Sequence, residues 1–131
     1  MELRNDYARF QCAGLTIIAI GQGSVARTKA FREQLELPFP LLADPRRLAY
    51  TAYNLLNMDL RREAALGGIE GLTRGVKAAF THGIAASPDQ DMRQLGGVFV
   101  VGQDGLIRFA HRANFVSDHP THDAILAAAN L

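Results

Sequence analysis

The chain has 131 residues, enough for one domain with a core of its own. Hydrophobic residues make up 48% and charged residues 21%, and 14 basic against 13 acidic residues leave a formal charge of +1. That balance gives no electrostatic case for nucleic acid or an anionic membrane as partner, and the single cysteine excludes an internal disulfide framework.

Leu3, Tyr7 and Phe10 stand at i, i+4 and i+7 with charges between them, which predicts an amphipathic helix over residues 2–12, stopped by Gly14. Nothing in this charged start resembles the apolar core of a signal peptide, and a cytoplasmic location is expected. Leu15 to Ile20 is rich in β-branched residues and apolar nearly throughout, as in a strand covered on both faces. Gly21-Gln22-Gly23 turns the chain, and Ser24 is placed to cap a helix running to about Glu36. Pro38 and Pro40 end that helix. Phe39 to Ala43 then reads as a short strand, Asp44-Pro45 as a turn, and Arg46 to Asn54 as a further helix.

Residues 57–95 are harder to read. Leu66, Ile69, Leu72 or Thr73, Val76 and Phe80 suggest a helical stripe, which Gly67, Gly68, Gly71, Gly75 and Gly83 weaken. Next, Val98 to Val101 and Leu106 to His111 flank Asp104-Gly105, a pair that tolerates the positive φ of primed hairpin turns. The first arm is apolar on both faces and is expected inside the sheet; Arg108 puts the second nearer an edge. Thr121 to Asn130 closes the chain as a helix with Ile125, Leu126 and Ala129 facing inward. No internal repeat or linker divides residues 1–131, which are read as a single domain.

Several constellations compete for a function. Gly21-Gln22-Gly23-Ser24-Val25-Ala26 matches the dinucleotide pattern G-x-G-x-x-A between strand and helix, with Asp44 roughly 20 residues on where a ribose-binding acid would stand. His119-Pro120-Thr121-His122, flanked by Asp118 and Asp123, contains metal-ligating types, but Pro120 and a nearby helix start spoil convergence. It reads as the polar cap of a helix; no metal and no cofactor are expected. His82, His111 and Arg112 read as surface or internally satisfied groups. Gly67, Gly71 and Gly75 at i, i+4 and i+8 would let another backbone approach, either as a dimer contact or as a plain covering segment.

The segments AGLTIIAIGQGS, ELPFPLLADPRRLAYTAYNL, GGVFVVGQDGLIRFAHR and SDHPTHDAILAA together resemble the peroxiredoxin-like branch of the AhpC/TSA superfamily. The resemblance runs from about Leu3 to Ala129 and carries little weight across residues 57–95. It implies an α/β, thioredoxin-like three-layer sandwich with a mixed central sheet. It also implies relatedness to thiol peroxidases and thiol-disulfide oxidoreductases, which keep a reactive cysteine in the turn from the first strand into the first helix.

A helix amino end and nearby positive charge favour the thiolate that attacks a peroxide or a disulfide. Here Met1 already begins the helix behind that turn, so the family's first strand and its cysteine are expected to be missing. Gly96 stands where such proteins often carry an arginine before the later strand, and Arg93 is a loose substitute. Cys12 is the only thiol, at a helix carboxyl end that disfavours a thiolate, and is expected to be a buried or half-buried structural residue. Without the first strand, Leu15–Ile20 and Val98–Val101 would face each other across a gap. Direct pairing of the two, or strand exchange in a homodimer, is expected to fill it. The expected function is that of a redox-family protein without its own catalytic thiol. The alternatives are a non-catalytic dimerisation or interaction module, and a small nucleotide-binding domain using the Gly21-Gln22-Gly23 loop.

Overall fold

The structure, a computed structural model, describes residues 2–62, 65, 91 and 93–129. They fall into two compact units, Met1–Arg47 with Phe99–Ala110 and Pro120–Leu131, and Leu48–Val98 with His111–His119. The elements in chain order are α1 (Glu2–Asn5), α2 (Tyr7–Cys12), β1 (Ala19–Gly21), α3 (Val25–Gln34) and β2 (Leu41–Ala43). They continue with α4 (Leu48–Ala52), α5 (Leu60–Arg62), β3 (Gly97–Val101), β4 (Ile107–Arg112) and α6 (His122–Ala129).

The first unit is built on a β1–α3–β2 crossover. β1 and β2 pair in parallel, Ala19 opposite Leu41, Ile20 opposite Leu42 and Gly21 opposite Ala43. Ala19 N–H donates to the Pro40 carbonyl at 3.0 Å, and Asp44 N–H donates to the Gly21 carbonyl at 2.7 Å. The strand is shorter than its apolar run, because its partner lies between Pro40 and the Asp44-Pro45 turn. Ladder length is set by the shorter strand, so Leu15 to Ile18 lead in as irregular chain. Phe39 is fully buried and Phe10 nearly so; with Leu37, Val100, Ile125 and Ala128 they form this unit's core. Tyr7 lies tilted against Phe39, ring centroids 5.8 Å apart.

Helix ends explain much of the chain's course. Ser24 Oγ accepts the Arg27 N–H at 3.3 Å, the capping read from sequence. At the far end of α3, Glu36 N–H donates to the Glu33 carbonyl and Leu37 N–H to the Arg32 carbonyl, at 3.2 Å each, with Glu36 at φ 50°. This is a Schellman closure. α2 ends the same way: Gly14 sits at φ 77°, its N–H on the Gln11 carbonyl at 3.0 Å, and Leu15 N–H reaches the Phe10 carbonyl at 3.0 Å. α4 repeats the closure with Asn54 at φ 57°. Glycine suits the left-handed position at Gly14, whereas a glutamate there is strained. Glu36→Gly is therefore expected to raise stability by about 0.5–1 kcal/mol, read as a higher urea midpoint at unchanged m value.

β3 and β4 form the hairpin expected from the sequence. Its turn differs from the primed type: Gly105 alone takes positive φ, at 81°, while Asp104 does not. Gly105 N–H closes on the Gly102 carbonyl at 3.0 Å, and Gly102 N–H on the Leu106 carbonyl at 2.8 Å. The Asp104 carboxylate turns inward to take the Leu106 N–H at 3.1 Å and to pair with Arg108.

Two expectations about the sheet are corrected. Among the described residues β3 pairs with β4 alone, so it is not an internal strand, and Val101 is exposed. β1–β2 and β3–β4 are separate two-stranded sheets; the direct pairing of β1 with β3 is not formed. Helices and strands are mixed along the chain, consistent with an α/β fold.

In the second unit Asn57, between α4 and α5, forms an antiparallel bridge with Gln94. Leu95 N–H donates to the Leu56 carbonyl at 2.9 Å, and Ala113 N–H to the Gly96 carbonyl at 3.0 Å; Leu95 and Ala113 are buried. Arg112 Nε donates to the Tyr53 carbonyl at 2.7 Å, tying the end of β4 to the end of α4. The glycines at 67, 71 and 75, His82 and the stripe from Leu66 to Phe80 lie outside the described residues. Among the described residues no helix is long and apolar enough to cross a membrane.

Candidate functional site

Cys12 is the last residue of α2, immediately before the Schellman closure at Gly14. It is exposed, which corrects the expectation of a buried structural thiol. The reason is periodicity. Leu3, Tyr7 and Phe10 mark the inward stripe of the first helical segment, and at about 100° per residue position 12 falls on the opposite face. The amide groups of this helix end point away from the thiol, so the carbonyl end of the helix is its nearest dipole. The Cys12 thiol has no recorded hydrogen bond or ion pair with any described residue.

The loop after β1 has the element order of the G-x-G-x-x-A pattern: strand, bend, helix, then a parallel strand that Asp44 follows. Gly23 is buried, and the Ser24 hydroxyl is occupied with its own helix. Arg93 is exposed, 3.6 Å from Asp91, and Gly96 is exposed too. Both belong to the second unit, and Cys12 belongs to the first.

In the first unit the titratable residues at the start of α6 pair with α2 and its N-cap. His122 Nδ1 lies 2.6 Å from Asp6 Oδ2 and its ring meets Phe10 edge-on at 5.3 Å. Asp123 takes Arg9 at 2.6 Å, and Thr121 caps α6 by accepting the Ala124 N–H at 3.1 Å. The polar helix cap read from sequence is thus in place. Asp6 is held below the ordinary carboxylate range, first by the His122 hydrogen bond and then, against some desolvation, by the Arg9 and His122 charges.

In the second unit His111 Nε2 lies 3.0 Å from Asp118 Oδ1, while Asp118 Oδ2 accepts the Asn114 N–H at 2.9 Å. Burial pushes the Asp118 carboxyl up, but the Asn114 amide and the charge and hydrogen bond of His111 outweigh it, leaving the group below its usual range. His111 is therefore internally satisfied. Asp118→Ala is expected to cost about 1 kcal/mol at neutral pH. A lowered carboxyl contributes its stability above the ordinary aspartate range and loses it as pH falls further. The cost should therefore shrink as pH falls below that range, as urea melts at pH 7 and pH 3 would read. Sequence reasoning missed both histidine–aspartate pairs; Asp118 lies seven positions from His111, while Asp6 and His122 are 116 apart and leave no local signal. Among the described residues no group of three metal-ligating side chains comes together.

A search of the curated proteins finds no match to this chain. A model of the family described as AhpC/TSA antioxidant enzyme matches residues 2–114. That span takes in the β1–α3–β2 crossover, the hairpin and the chain between them. The chain belongs to the AhpC/TSA antioxidant enzyme family.

Proposed function

We propose that this chain is a peroxiredoxin-like member of its redox family whose own thiol is not a peroxidatic nucleophile. The observation that carries the reading is the position of Cys12: the last residue of a helix, exposed, with the carbonyl end of that helix as its nearest dipole and the basic residue of the last turn, Arg9, paired with Asp6 and Asp123. Peroxide reduction by a thiol needs the thiolate held by positive charge, either a helix amino end or a neighbouring cation. Cys12 has the opposite end of a helix. With one cysteine, no disulfide can close within the chain after oxidation, so a resolving thiol would also have to come from elsewhere. A cytosolic, reducing setting fits such a chain.

The test is thiol capture. The full chain is treated with one equivalent of hydrogen peroxide at pH 7 and then with a sulfenic-acid-trapping dione, and Cys12 is followed by mass spectrometry. Labelling no faster than that of a free cysteine in a short peptide is the expected result. Labelling orders of magnitude faster would refute the reading.

A second reading, a dimerisation or interaction module, is favoured by one feature of the β1–β2 sheet. Ile18, Ile20 and Leu42 are 58%, 43% and 50% exposed although they sit in or beside strands. Parallel sheets ordinarily have both faces covered, and an uncovered apolar face is a place for a partner. Sedimentation of the wild type against Ile18→Lys/Leu42→Lys separates the readings: a dimer lost in the variant favours the module.

A further inference from the structure

Asp6 is the N-cap residue of α2, yet its side chain makes no capping hydrogen bond. Asp, Asn and Ser at this position ordinarily take an orphan N–H of their own helix. Here the carboxylate is spent on a distant element. It accepts from His122 at 2.6 Å and from Arg9 at 3.1 Å, and Arg9 reaches on to Asp123 at 2.6 Å. Asp6 and Arg9 from α2 thus form a ring of polar contacts with His122 and Asp123 from the first turn of α6, closed by the peptide bond that joins those two. Arg4 of α1 stays outside it, donating to the Leu35 carbonyl at 2.6 Å.

We propose that this ring is an acid-releasable clasp: protonating Asp6 detaches α6 from α2 while the rest of the first unit stays folded. α6 has eight residues, too few to be stable as an isolated helix in water, so it depends on what holds it. Its buried anchors are Ile125 and Ala128, and its amino end rests on the clasp and on the His122–Phe10 ring contact. The remaining core of the unit, with Leu37, Phe39 and Val100, lies on other elements. The charged groups that face Asp6 are Arg9 on its own helix and His122 on α6, and both hold it ionised. The clasp is therefore complete above the ordinary aspartate range, near pH 4, and opens as pH falls through the lowered value. Opening uncovers Phe10 and Ile125, an acid-dependent apolar surface.

The test is a methyl NMR titration of the full chain from pH 7 to pH 2.5. The Ile125 methyls report α6, and the Leu37 and Val100 methyls report the rest of the unit. The expected result is that Ile125 moves to its solvent-exposed shift below about pH 4 while Leu37 and Val100 keep native shifts. In Asp6→Asn the Ile125 step disappears; in Asp118→Asn, which alters the other histidine–aspartate pair, it stays at the wild-type midpoint. Loss of Ile125, Leu37 and Val100 together in the wild type would overturn the proposal. So would an Asp6→Asn chain that keeps the wild-type step, or an Asp118→Asn chain that loses it.

Discussion

Phe39→Ala is expected to destabilise the chain by about 3–5 kcal/mol, the usual cost of emptying a large aromatic site in a close-packed core. Phe39 is the largest fully buried side chain among the described residues, at 0% exposure. It stands between Pro38 and Pro40, at the approach to β2, and it packs against Tyr7. Its carbonyl also accepts Arg32 Nε at 3.3 Å, so the same residue seats both α2 and the end of α3. Domains of this size are stable by about 5–15 kcal/mol in all, so the loss is a large share of the total. Urea unfolding followed by tyrosine fluorescence would measure it. Phe39→Leu should recover about half the loss, because volume returns and the ring contact does not.

Phe10→Ala comes next, with an expected cost of about 3–5 kcal/mol. Phe10 is 2% exposed, and its ring takes the edge of His122. The residue also supplies the carbonyl that closes α2 onto Leu15. Only the side chain is removed, so the helix end should survive while the seat of α6 is emptied. A double-mutant cycle with His122→Ala should give a coupling of about 0.5–1.5 kcal/mol. Zero coupling would mean that the edge-on contact contributes nothing.

Local signals in the sequence translated well into structure. Ser24 capping α3, Gly14 stopping α2 and Asp104-Gly105 turning the hairpin each depend on a few neighbouring residues, and each is where the sequence places it. Features that depend on distant partners did not translate. The run Leu15–Ile20 looked like a six-residue strand, but only three residues of β2 lie between Pro40 and Asp44 to pair with. Val98 to Val101 reads as an internal strand from its composition, yet composition does not supply a second neighbour, and none pairs with it among the described residues. Cys12 was legible in principle. The stripe through Leu3, Tyr7 and Phe10 already points away from it, and small apolar character alone made it look buried.

In the proposed reading, family and chemistry diverge at this residue. The match across residues 2–114 places the chain in an antioxidant enzyme family, and its mixed helices and strands are consistent with that family's fold. Scaffold does not carry activity by itself, which resides in how particular side chains are held. The described residues hold a lone exposed thiol at a helix carboxyl end, and two histidine–aspartate pairs that fasten chain segments together.

The most direct measurement is turnover. The wild-type chain and Cys12→Ser are each incubated with hydrogen peroxide and excess dithiothreitol at pH 7, and peroxide loss is followed. Equal rates for the two, indistinguishable from dithiothreitol alone, are what the placement of Cys12 predicts. Fast consumption by the wild type that disappears in Cys12→Ser would contradict it.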